Sequence, residues 1–227
     1  MLMADVKVKI CGLTQEREID ILAEYGAEYA GMVMFYPKSK RNIKAETAEK
    51  LIKRAKLHAV SQTVAVTVSP DISQLKTIEN LGFDYIQIHG DLSEEVYKAA
   101  EIPIIRAVNV GEQKSGKKLE DKLSQIFDMQ KIAGILFDGS NPGAGKVFDW
   151  NILKNIKKNN KLLILAGGLN PSNIRNAIEH VNPDVVDVSS GVEHDTRQGM
   201  EFAGKDKQKI EEFIRNAAPL KAAEWRK

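Results

Sequence analysis

The strongest constraint on the fold is a rhythm in the chain. Short apolar, β-prone runs alternate eight times with amphipathic or turn-bounded helical stretches. The strand-like runs are Val6–Cys11, Tyr29–Phe35, Thr63–Val68, Asp84–His89, Ile104–Val108, Gly134–Asp138, Leu162–Ala166 and Val185–Val188. The helical stretch Ala45–Lys56 shows the complementary pattern, with Ala48, Leu51, Ile52 and Ala55 on one apolar stripe. Strands that run parallel need a helical crossover between them, and this sequence offers one after each run. No linker or change of composition divides the 227 residues. The expectation is an α/β fold, a single-domain (β/α)8 TIM barrel over residues 1–227, with a doubly wound open sheet as the lesser alternative.

In such a barrel, chemistry gathers at the carboxyl ends of the strands. Cys11, the only cysteine, ends the first strand. Alternation puts Lys7, Lys9 and Cys11 on one face, predicted to point inward, and Thr14 is placed to cap the helix that follows. Asp138 ends the sixth strand, so its carboxyl group can share a mouth with the thiol as an acid and base pair. Gly167-Gly168 and Ser190-Gly191 follow strands seven and eight, where backbone N–H groups of this fold commonly hold a phosphate. Arg41, in a basic loop after strand two, can clamp a carboxylate with its fork of donors. Lys9, Gln87, His89, Arg106 and Asp187 occupy strand positions able to face inward, and buried charges need partners. Lys9 is paired with Asp187 beneath the thiol, where its ammonium is expected to pull the cysteine pKa below its usual ~8.5.

Composition narrows the function classes. With 33 basic against 31 acidic residues and no basic stripe interleaved with aromatics, nucleic acid is not an expected partner. One cysteine excludes an internal disulfide framework and suits a reducing compartment. No apolar run approaches bilayer length, so no membrane partner is expected and the cytoplasm is the expected location. The four histidines show no paired spacing on one strand or helix face, so no metal site is expected.

Seven segments, taken in order, go further. They are Lys9–Thr14, Phe35–Arg41, Ile86–Gly90, Phe137-Asp138, Gly143–Trp150, Ala166–Pro171 and Asp187–Glu193. Together they resemble the phosphoribosylanthranilate isomerase family across nearly the whole chain. The resemblance implies an Amadori rearrangement of N-(5-phosphoribosyl)anthranilate, an aminoaldose, to an aminoketose in tryptophan biosynthesis. It implies Cys11 as general base, Asp138 as general acid and Arg41 on the anthranilate carboxylate. Gly168, Ser190 and Gly191 fall where the family holds the phosphate, and Lys9, His89 and Asp187 support the reacting groups. It implies no cofactor, because the protonated Schiff base formed on ring opening is its own electron sink. The expected partner is the phosphoribosyl substrate, the expected state a monomer or homodimer. The competing readings are a sugar-phosphate epimerase or lyase, and a non-catalytic sugar-phosphate sensor, each on the same barrel.

Overall fold

The computed structural model describes residues 5–58, 60, 62–110, 116–139, 148–153, 156, 158–195 and 202–218. The glycine-rich stretch Gly143–Lys146 and much of the segment between His194 and Gly204 lie outside them. The elements run β1 (Lys7–Cys11), α1 (Glu16–Tyr25), β2 (Tyr29–Met34), β3 (Asn42–Ile43), α2 (Ala45–Leu57), β4 (Gln62–Val68), α3 (Ile72–Leu81), β5 (Tyr85–His89) and α4 (Glu94–Ala99). They continue with β6 (Ile104–Asn109), α5 (Gly116–Phe127), β7 (Ile132–Asp138), β8 (Leu162–Leu165), α6 (Ile174–Val181), β9 (Val185–Val188) and α7 (Lys207–Ala217). Eight strands form a closed parallel barrel in the order β1-β2-β4-β5-β6-β7-β8-β9, sealed by pairing of β1 with both β2 and β9. The two-residue β3, absent from the expectation, attaches to the outer edge of β2 and anchors the loop that carries Arg41.

Strand pleating divides the apolar residues into two cores. Cys11, Val33, Val66, Ile105, Ala107, Leu136, Ile164 and Val185 pack inside the barrel. The alternate positions, among them Val8, Ile10, Ile86, Ile88, Ile104 and Val108, face the helices. On α2 the predicted stripe is the one that is buried. Each leucine or isoleucine so covered contributes roughly 1.5–3 kcal/mol, which is what holds the helical shell on the barrel.

Several local expectations are corrected. Lys7 is exposed, since at its level β1 is paired with β9 alone and the pairing with β2 begins at Lys9; of the three, only Lys9 and Cys11 are buried. Helix α1 is capped by Gln15 in a reciprocal box with Glu18, and the Thr14 backbone N–H donates to Glu18 instead (2.6 Å). Arg106 leaves β6 on the outer face, since its neighbours Ile105 and Ala107 fill the interior, but its guanidinium reaches the rim of the strand-end cavity; it donates to the carbonyls of Ile88 (2.7 Å), Ala107 (3.2 Å) and Gly90. The helix expected near Trp150 is a single 3-10 turn, Trp150–Leu153, among the described residues.

Candidate active site

The carboxyl ends of the strands surround a cavity of about 530 Å³. Cys11, Arg41, His89, Asp138, Gly168, Asp187 and Ser190 line it, whereas Lys9 and Gly191 do not. Lys9 lies beneath, with its Nζ 3.1 Å from both carboxylate oxygens of Asp187, its partner in the β1–β9 register. The space for this pair comes from β2. A Cβ built on Gly31, opposite Cys11, would stand 3.0 Å from Lys9 Nζ and 3.2 Å from Cys11 Sγ. A glycine inside a strand often marks such a close approach, and here it admits the ammonium and the sulfur side by side. Burial opposes the charge on Lys9, but Asp187 and Cys11 outweigh it and hold the ammonium above its usual pKa.

The thiol behaves differently from expectation. Its burial raises the pKa by more than the Lys9 and Lys205 ammonium groups lower it, and Asp187 adds to the rise. The sequence shows the cation but not the desolvation, and desolvation is larger.

Asp138 ends β7, three strands round the ring from β1. Burial pushes its carboxyl group up to about 6, against an N–H donated by Gly139 (2.8 Å) and with a further push from Asp187. A carboxylic acid that titrates near neutrality can both give and take a proton at the working pH. At the end of β5, on the same cavity, burial and the Lys9 and Arg106 charges hold His89 down at about 4, so the imidazole is neutral. Its Nε2 lies 2.9 Å from the Gln87 side-chain amide nitrogen. Gln87 Oε1 is buried with no partner among the described residues.

At the next loops round the mouth, Gly167 and Gly168 have φ of 84° and 71°, a double left-handed turn at the end of β8. Gly191 is fixed by a packing contact as well. A side chain there would strike the Leu169 carbonyl, so its glycine lets the loops after β8 and β9 meet, and Ser190 faces the cavity.

A cluster that sequence reasoning missed lies beside the thiol. The Glu193 carboxylate accepts from Arg41 Nε at 2.5 Å, Lys40 Nζ at 2.9 Å and Lys205 Nζ at 3.2 Å. Burial opposes its charge, yet Arg41, Lys205 and Lys40 together hold Glu193 at about 2. Lys205 also donates to the Ser189 carbonyl (3.0 Å), and Ser189 Oγ donates to the Cys11 carbonyl (3.0 Å). Gly31 carried a readable signal, a glycine within a strand run. Lys205 carried none, because its side-chain partners Glu193 and Ser189 lie 12 and 16 positions away with no periodic pattern joining them.

A closed parallel barrel with a thiol, a near-neutral carboxyl group and a guanidinium at its catalytic mouth defines a TIM-barrel enzyme built for proton transfer on an anionic ligand. The family model for N-(5'phosphoribosyl)anthranilate (PRA) isomerase matches residues 8–216. The N-(5'-phosphoribosyl)anthranilate isomerase of Clostridium acetobutylicum is 39% identical over 220 residues, 95% of this chain and 100% of that protein. The crystal structure of phosphoribosyl anthranilate isomerase from Thermotoga maritima superposes with a TM-score of 0.76 at 34% identity, covering 93% of this chain and 98% of that one. Another such structure, in complex with reduced 1-(o-carboxyphenylamino)-1-deoxyribulose 5-phosphate, has a TM-score of 0.74 at 32% identity over the same shares. The chain belongs to the phosphoribosylanthranilate isomerase family.

Proposed function

We propose that this chain converts N-(5'-phosphoribosyl)anthranilate to 1-(2-carboxyphenylamino)-1-deoxyribulose 5-phosphate, a step of tryptophan biosynthesis, with Asp138 as general acid and Cys11 as general base. The observation that carries the assignment of roles is their placement at the ends of β7 and β1, both lining one cavity. Asp138, protonated, gives its proton to the ribose ring oxygen as the C1–O bond breaks. The amine nitrogen lone pair closes onto C1, forming a protonated Schiff base. Cys11 as thiolate then takes the C2 proton, and the C2–H electrons move towards the iminium to give an enolamine, which tautomerises to the ketone. The iminium supplies the electron sink within the substrate itself.

Burial alone favours the neutral thiol, so the base must be generated on the reaction path. Lys9 lowers the cost of the thiolate from below, and the iminium adds a second positive charge above it. Arg41 takes the anthranilate carboxylate, and Gly168, Ser190 and Gly191 lie on the loops assigned to the phosphate. His89 is a neutral hydrogen-bonding group on the wall of the same cavity, while Lys9 and Asp187 hold the thiol in place.

No helix of the described residues is long and apolar enough to cross a membrane, and a single reduced thiol suits the cytoplasm. The solved relative from Thermotoga maritima is described as dimeric, which supports a monomer or homodimer here.

The test follows the loss of phosphoribosylanthranilate fluorescence with wild type and Cys11→Ala. The wild type is expected to consume the substrate, and the variant to lose ~100-fold or more in kcat while binding a product analogue normally. Tight binding without turnover by the wild type would favour the sensor, and a variant with near wild-type kcat would remove the thiol from the mechanism.

A further inference from the structure

We infer that Glu193 is a positioning residue that tunes the site for a carboxyl-bearing aromatic amine: it fixes the Arg41 guanidinium through Nε, leaving the two terminal amino groups as the fork that grips the carboxylate. The inference rests on the reading that Arg41 meets that carboxylate.

The root of the Arg41 side chain is already rigid. Its loop is held by Tyr36 N donating to Asn42 Oδ1 (2.8 Å), Ser39 N to the Tyr36 carbonyl (2.9 Å) and Arg41 N to Ser39 Oγ (3.2 Å), and it continues into β3. The aliphatic stem lies over Gly12, where an added Cβ would strike Arg41 Cδ and come within 3.2 Å of Cγ. The guanidinium is thereby carried to the residue next to Cys11. What remains free is rotation about the last bonds of the stem, and Glu193 removes it. Among the described residues, the side-chain hydrogen bond of Arg41 runs through Nε to Glu193. A guanidinium bound at Nε presents its Nη pair on the other side, the arrangement that accepts a carboxylate bidentately.

The charge of the cluster points the same way. Arg41 and Lys40 already place two cations on one carboxylate, and Lys205 is a third amine on the same oxygen as Arg41. Glu193 therefore fixes the geometry without neutralising the patch, and the excess of positive charge favours a second carboxylate entering from the cavity. Its own site is rigid as well. Glu193 and Lys205 face each other in an antiparallel bridge, and the Lys205 backbone N–H is held by Glu18 (2.7 Å).

The experiment measures, by calorimetry, the affinity of reduced 1-(o-carboxyphenylamino)-1-deoxyribulose 5-phosphate and of the same molecule lacking the carboxyl group. The proteins are wild type, Glu193→Gln, Arg41→Ala and Arg41→Lys. Loss of one charge-assisted contact predicts that Glu193→Gln weakens the carboxylated probe about tenfold and leaves the other unchanged. Arg41→Lys should lose nearly as much as Arg41→Ala, because an ammonium cannot hold Glu193 and present a flat fork together. Equal weakening of both probes by Glu193→Gln would make Glu193 a tie between loops and overturn the inference. So would an effect of Arg41→Ala with none from Glu193→Gln, leaving the role of Arg41 intact. Unchanged binding by Arg41→Ala would remove both. If Glu193→Gln does not fold, Arg41→Lys decides, and wild-type affinity there overturns the inference.

Discussion

Replacing Asp138 with Asn should destroy activity and stabilise the protein, and the gain should depend on pH in a calculable way. Folding buries this carboxyl group and lifts its pKa from 3.8 to about 6. A raised carboxyl pKa means that the folded state binds the proton more tightly than the unfolded chain. Stability therefore falls as pH rises between 3.8 and about 6, and the full penalty remains above that range. Linkage puts the penalty at about 3 kcal/mol at pH 8 but only about 1 kcal/mol at pH 4.5. Asparagine keeps an oxygen for the Gly139 N–H and carries no charge to desolvate. The assay is urea unfolding of both proteins at the two pH values. The stability advantage of Asp138→Asn should be about 2 kcal/mol larger at the higher pH, with kcat down ~100-fold or more. An equal advantage at both pH values, or none, would refute the claim that burial of this carboxylate shifts its pKa.

Three further outcomes follow from the same geometry. Lys9→Met leaves the buried Asp187 without its counter-charge, which should cost about 3–5 kcal/mol in urea unfolding. It should also move the pH–rate profile to higher pH, because the thiol loses a neighbouring cation. Gly31→Ala puts a methyl group 3.0 Å from both Lys9 Nζ and Cys11 Cα; a loss of about 1–3 kcal/mol is expected, together with a fall in kcat. Because Glu193 is held at about 2 against an ordinary 4.5, its contribution is complete above 4.5 and is lost towards pH 2. An acid-unfolding curve should therefore flatten over that range in Glu193→Gln.

The barrel and the strand-end positions of the proposed acid and base were legible because the signals are local. Strand ends, turn residues and the helical stripe on α2 are each written within a few residues, and their eightfold recurrence specifies the closed sheet. The errors fall where the signal is long-range or absent. Arg106 sits among Ile104, Ile105, Ala107 and Val108, a run apolar on both faces, so its sequence contains no phase to say which side is inward. The strand also shifts register between Ile104 and Ile105. Glu193 was visible as part of a motif, but its three cations come from two distant segments. The direction of the Cys11 pKa depends on how deeply the thiol is buried, which no neighbour in the sequence reports.

The Lys9–Asp187 pair joins residues 178 positions apart, and it lies on the two strands that close the ring. During synthesis at ~5–20 residues per second, the first strand is made roughly ten to thirty-five seconds before its partner exists. Over that interval the lysine has no Asp187 carboxylate to enter the interior with, and ring closure at this seam is the longest-range strand pairing among the described residues. Enclosure of the thiol beside its lysine therefore waits for the last strand of the ring.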